Sequence, residues 1–342
     1  MRNRNVFADT IAVKRLNPVV FWLAVFGAVW VATWLLTKVQ RAVLAAGFHF
    51  SARGRWRVVV GLGPLLEFFG GISGPLIAFE AELSARVYGG DVDGAKALIR
   101  RRLGEEDVAG RELNTAICSL ISAGAYQAAL RIRLPRELEQ QPLDGLGLVL
   151  CHINLAEAEY NLGRWDEAEA RLCGLDLACG LANITRAGLL QQRAWIAAHQ
   201  GEAKKALDLC DRVEVNWLPK GFHAEYHFTR AVALIGAGRL LDAQAAARSG
   251  HLAARRLPSQ RNSLFILARV AAANGDWVSA ERHCRAAAEH RFRSQGGDGL
   301  VLWAESLDKL GRPLEAAAAR QLVLERDPES EAAQTLAGTA AA

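Results

Sequence analysis

"NLGRWDEAEA", residues 161–170, sets a glycine, a tryptophan and charges of both signs within one short stretch. Alone it reads in two ways. It is a small chemical site, with Asp166 and Glu167 as acid and base, Arg164 as an anion clamp and Trp165 as a stacking surface; or it is a turn between two helices. Its recurrence decides between them. GRWDEA at 163–168 has counterparts in GDVDGA at 90–95, GAYQAA at 124–129, GEAKKA at 201–206, GRLLDA at 238–243, GDWVSA at 275–280 and GRPLEA at 311–316. The seven glycines are spaced by 34, 39, 38, 37, 37 and 36 residues. Alanine follows each glycine by five positions, at Ala95, Ala129, Ala168, Ala206, Ala243, Ala280 and Ala316. In the last five copies alanine also precedes it by seven, at Ala156, Ala194, Ala231, Ala268 and Ala304. Self-similarity at such a period marks a repeat architecture.

A helix that runs up to each glycine can end there, because glycine takes a left-handed conformation at little cost. A second helix starts at once, and two helices joined so tightly pack antiparallel. The two alanine positions supply the small side chains a close crossing needs. Two residues after the glycine stand bulkier groups such as Val92, Tyr126, Trp165, Leu240 and Trp277, expected to plug the gap between neighbouring pairs. Under this reading Asp166 and Glu167 open a second helix, where negative charge suits the helix dipole.

The pattern resembles the tetratricopeptide repeat (TPR) family: a small residue seven before the glycine, the glycine, an aromatic two after and alanine five after. Pro328 behind the last copy fits as well. The resemblance is strong from residue 149 and weaker in the first two copies, where Leu83 and Ile117 replace the earlier alanine and Glu82 and Arg86 stand where apolar residues belong. It implies an all-α fold, a right-handed TPR-like solenoid of about seven helix pairs over 76–327, each pair touching only its neighbours. The spacings exceed the family's 34 residues, and the surplus is expected in the connecting loops. Residues 328–342 are expected to begin as a short solvating cap and then fray.

Composition agrees. The chain has 342 residues, 51% apolar, and is rich in alanine, which loses no side-chain entropy in a helix. Residues 1–79 carry nine Lys/Arg against Asp9 and Glu67, a balance of +7, while the rest carries 32 against 34. Basic charge confined beside apolar segments is a membrane pattern rather than a nucleic-acid one, and no nucleic-acid partner is expected. Residues 18–36, PVVFWLAVFGAVWVATWLL, hold no charge; about 20 helical residues cross a hydrocarbon core. This predicts a transmembrane helix within an anchor of residues 1–57. The Gly/Pro-rich stretch that follows, 58–75, reads as membrane-associated or re-entrant. The six cysteines show no CxxC spacing; they read as buried thiols and favour a cytoplasmic solenoid on an inner or cytoplasmic membrane.

In the resembled family the first helices of successive pairs line a concave groove that takes a peptide or a partner helix. Positions ten, six, three and two before each glycine would face it. Those with binding chemistry are Glu157, Tyr160, Asn161, Trp195, His199, Phe228, Phe265 and Arg269; aromatic and arginine side chains are frequent interface anchors. The Lys/Asn set with which some members grip a terminal carboxylate is not recognisable. His223 and His227 stand at i and i+4 but lack the neighbouring Glu of HExxH. His283 and His290 lack a clear fourth ligand. No catalytic, metal or cofactor site is expected. The function that follows is a membrane-anchored scaffold or adaptor, in the manner of a bacterial assembly factor. The alternatives are a structural subunit of an integral membrane complex, and an accessory protein of a membrane-linked pathway such as the two-span TPR proteins linked to haem synthesis.

Overall fold

The computed structural model describes residues 79, 82–83, 86–87, 91–103, 110–132, 134, 146–176, 183–255, 257–290 and 297–341. The segments 18–36 and 58–75 lie outside them, as does Cys179. Among the described residues no helix is long and apolar enough to cross a membrane.

Every element described is helical. In the first pair the buried positions Phe79, Leu83 and Val87, four residues apart, share a core with α1 (Val92–Leu103). The second pair is α2 (Gly110–Ser122) with the short α3 (Tyr126–Leu130), and the third α4 (Leu146–Asn161) with α5 (Trp165–Asp176). The fourth is α6 (Asn183–His199) with α7 (Ala203–Asp211), and the fifth α8 (His223–Gly236) with α9 (Leu240–Ala253). The sixth is α10 (Leu257–Ala273) with α11 (Trp277–Ala288), and the seventh α12 (Gly297–Lys309) with α13 (Pro313–Arg326). A last helix, α14 (Glu331–Ala341), packs on α12 and α13. Residues 331–341 of the expected cap and tail thus form a helix.

The turns explain the sequence signature atom by atom. Gly124, Gly163, Gly201, Gly238, Gly275 and Gly311 all have φ between 71° and 80°. The residue after each glycine donates its N–H to the carbonyl five back, for example Arg164 to Glu159, Arg239 to Leu234 and Arg312 to Leu307, all at 2.9 Å. The pattern is a Schellman closure, which satisfies carbonyls left over at the helix end. That same residue's carbonyl accepts the first hydrogen bond of the next helix, from the signature alanine: Ala168 to Arg164, Ala243 to Arg239, Ala316 to Arg312. The five-residue spacing is thus one helix exit plus one helix entry.

All seven alanines after the glycines are buried, and so are the five before them, with Leu83 and Ile117 filling that place in the first two pairs. The polar residues of the first pair satisfy one another: Arg86 donates to Glu82 (2.8 Å) and to Asp91 (2.8 Å). The surplus over 34 residues is divided. Part lies in the connection 212–222, which contains two 3₁₀ turns at Val215–Trp217 and Lys220–Phe222, and part in long first helices, α6 and α10 having 17 residues each. Cys118, Cys151, Cys173, Cys210 and Cys284 are not joined in disulfides. Burial pushes Cys151 up to about 11 and Cys210 and Cys284 up to about 12, so these three stay protonated.

Candidate functional site

First helices of successive pairs lie side by side, α6 against α8, α8 against α10 and α10 against α12. Their inward faces bring distant residues together. At the centre is His199, at the end of α6. Its Nδ1 bonds the Trp195 carbonyl (3.1 Å), so Nδ1 carries the proton and Nε2 is left as an acceptor. Arg269, on α10 and 70 residues away, donates Nη1 to that Nε2 at 2.9 Å. Burial first, then the Arg269 charge, hold the imidazole down to about 3, so it stays neutral. Trp195 leans on the same ring at 4.2 Å between centroids.

The stack continues into the third pair. Trp165 lies on His199 at 5.6 Å and 10°, and Tyr160 lies on Trp165 at 5.6 Å and 9°. Tyr160, Trp165, His199 and Trp195 therefore form an aromatic ladder, with Arg269 bonded to its His199 rung. Asp298, in the first turn of α12, faces the same space: its charge acts on both Arg269 and Tyr160. Asp298 is in contact with water yet enclosed by protein, and that enclosure raises its carboxyl above the usual range while Arg269 opposes the rise. Enclosure likewise pushes the Tyr160 phenol well up, with Glu157 and Asp298 adding to it. The ladder thus lines a confined interior in which a cation, a carboxylate and neutral ring faces coexist.

The expected groove residues divide accordingly. Tyr160, Trp195, His199 and Arg269 converge in this one cluster, and Glu157 stands half-buried beside it. Asn161 turns back, its Nδ2 donating to the Glu157 carbonyl at 2.7 Å. Phe228 and Phe265 are both buried, because each ring fills the hollow over a glycine, Phe228 at Gly250 and Phe265 at Gly299. In this structure both rings serve the packing between neighbouring helices. Trp165, expected as a plug between pairs, is also a rung of the ladder, half-exposed rather than sealed in. Neither Trp165 nor Asp298 was among the expected groove residues, since one lies after the glycine and the other three residues upstream of the row.

The superhelix closes at the far side. The C-terminal segment reaches back to the second and third pairs: Tyr126 Oη donates to Asp327 (2.9 Å), the Gln127 N–H to Glu329 (2.8 Å) and Trp165 Nε1 to Glu331 (3.1 Å). His223 is engaged elsewhere, its Nε2 on the Leu218 carbonyl at 3.0 Å. Among the described residues no group of three or more His, Cys, Asp or Glu comes together to hold a metal.

Antiparallel helix pairs with Schellman turns, stacked about a concave interior, define a TPR-like superhelix. A Rap protein complexed with competence and sporulation factor superposes with a TM-score of 0.53 at 14% identity, over 73% of this chain and 76% of that one. PilW, a widely conserved type IV pilus biogenesis factor, gives 0.42 at 16% identity over 67% and 99%. A tetratricopeptide repeat protein from Parabacteroides merdae gives 0.38 at 18% identity over 67% and 84%. At 14% identity the likeness to the Rap protein is one of fold. No protein-family model matches the sequence, and no curated protein matches it.

Proposed function

We propose that this chain is an interaction scaffold that receives a protein or peptide partner in the interior of its superhelix, beside a membrane to which residues 18–36 anchor it. One observation carries the first half. Arg269 is enclosed by protein, yet its hydrogen bond goes to a neutral imidazole and leaves further N–H groups of its planar fork for another acceptor. Guanidinium forks beside ring faces are the chemistry that recognises carboxylates and apolar side chains together. The uncharged run of 18–36, flanked by Lys14, Arg15, Lys38 and Arg41, supports the second half.

Crosslinking in native membranes followed by mass spectrometry tests the interior. Trp195→Ala and Arg269→Ala should each remove the same crosslinked partner while the helical signal is kept. A partner retained by both variants would place recognition elsewhere. Deleting residues 1–57 should release the solenoid from membranes. If the truncated chain still sediments with protein-free vesicles, the anchor is wrongly placed.

A further inference from the structure

The turns of the second and third pairs carry three hydrogen-bond donors in a row: the Tyr126 hydroxyl, the Gln127 backbone N–H and the Trp165 indole N–H. Against them lies DPESE, residues 327–331, whose three carboxylates are spaced two residues apart. Each carboxylate meets one donor, in register, across 201, 202 and 166 residues of chain. The glycines of these two turns make room for the segment. A Cβ on Gly124 would stand 3.2 Å from Asp327, and one on Gly163 2.9 Å from Glu331, whereas a Cβ on Gly201, Gly238, Gly275 or Gly311 would meet nothing. The position two after the glycine is a donor-bearing ring at Tyr126 and Trp165, and again at Trp277 in the sixth pair, where Lys309 lies over the ring instead; it is Ala203, Leu240 and Pro313 in the fourth, fifth and seventh pairs.

The far side of the segment is fixed to its own pair. Asp327 accepts from the Gly297 N–H at 3.1 Å, Ser330 Oγ donates to the Asp327 carbonyl at 2.7 Å, and Ala333 N donates to Ser330 Oγ at 3.2 Å, which caps α14. So the segment is shaped by the seventh pair and offered to the second and third. Asp327 is buried, but Glu331 is exposed and Glu329 half-exposed. Contacts to exposed carboxylates are individually weak, which makes the outer two separable from water's competition by little.

We propose that Tyr126, Gln127 and Trp165 form a docking row for an acidic segment, and that residues 327–331 of this same chain occupy it reversibly as a clasp closing the superhelix. The clasp shares Trp165 with the ladder, so docking of the segment and the state of the interior are linked through one side chain. The proposal does not depend on what the interior binds, since Trp195 and Arg269 take no part in the row.

The Gln127 amide is the reporter. It sits at the start of α3, where an N–H has no partner within its own helix, and Glu329 is its acceptor. In the full chain, Glu329→Ala/Glu331→Ala should speed hydrogen exchange at Gln127 roughly tenfold, an opening confined to one local unit, with α12 and α13 unchanged. Trp165→Phe keeps a stacking ring but removes the indole donor, and should loosen the α14 start in the same way. A synthetic peptide of the 326–336 sequence, added to the double variant, should slow the Gln127 amide again; the same peptide with Asn and Gln in place of its acids should not. Unchanged exchange at Gln127 overturns the clasp. So does exchange that rises throughout α12 and α13, which would make the segment a structural cap, and so does rescue by both peptides or by neither.

Discussion

Gly238 turns the chain at φ 71° with open space where a Cβ would stand, so its cost to any other residue is backbone strain alone. Gly238→Ala should lower stability by about 1–2 kcal/mol, the usual penalty of a left-handed conformation, read as a shift in urea midpoint. Gly163→Ala carries the same strain and also drives into Glu331, so it should cost more and free the Gln127 amide as well. At His199 the imidazole is held down to about 3 in the folded state. A depressed base is unprotonated when the unfolded chain has already taken its proton. Its contribution is therefore lost as pH falls from about 6.5 towards 3, at about 1.4 kcal/mol per pH unit. His199→Gln should flatten that acid-side loss in melts run between pH 6.5 and 5. Glycine and alanine were legible in the sequence because a period multiplies a weak local signal by seven. Phe228 and Phe265 were not: their fate depends on Gly250 and Gly299, residues outside the repeat signature that leave a hollow for each ring.

Each helix pair is one exit and one entry about a glycine, and the buried alanines let the two helices approach. Ala231 on α8 and Ala243 near the start of α9 share one buried cluster. Ala231→Leu should cost about 1–3 kcal/mol by overpacking, seen as a lower midpoint, and the fifth pair should exchange faster than the third. Helix ends were readable to within a residue or so because the Schellman turn ties them to glycine. Where the extra residues of each repeat would go was not, since lengthening α6 by part of a turn and inserting the 212–222 connection leave the same spacing between glycines. The position three after the glycine shows another limit. Leu241, Val278 and Leu314 stand there at 84%, 66% and 88% exposure, an apolar row along the starts of three successive second helices. The repeat signature of this chain assigns nothing to that position, so the row appears only once burial is known.

Across the whole molecule the second and third pairs meet the C-terminal segment at Asp327. Its carboxyl is pushed up to about 6 by burial, against hydrogen bonds from Gly297 and Tyr126 and the charge of Arg261, with Asp298 adding to the rise. A raised acid stabilises the fold fully below about pH 4, the range of an unperturbed Asp, and that contribution is lost as pH rises to about 6. Between those limits it opposes His199. Asp327→Asn should therefore leave the chain more acid-sensitive than the parent between pH 6 and 4, which thermal melts across that range would show. Sequence periodicity disclosed the stack but not the seam, because a repeat predicts neighbours and the seam joins residues some 200 positions apart. An open stack of repeats unfolds like a row of books, its end members slipping away first at little expense to the rest. A stack whose last member grips its second has no free end on that side. Loosening residue 327 or 329 is then felt at residue 126, and the unit of cooperativity becomes the hoop rather than the repeat.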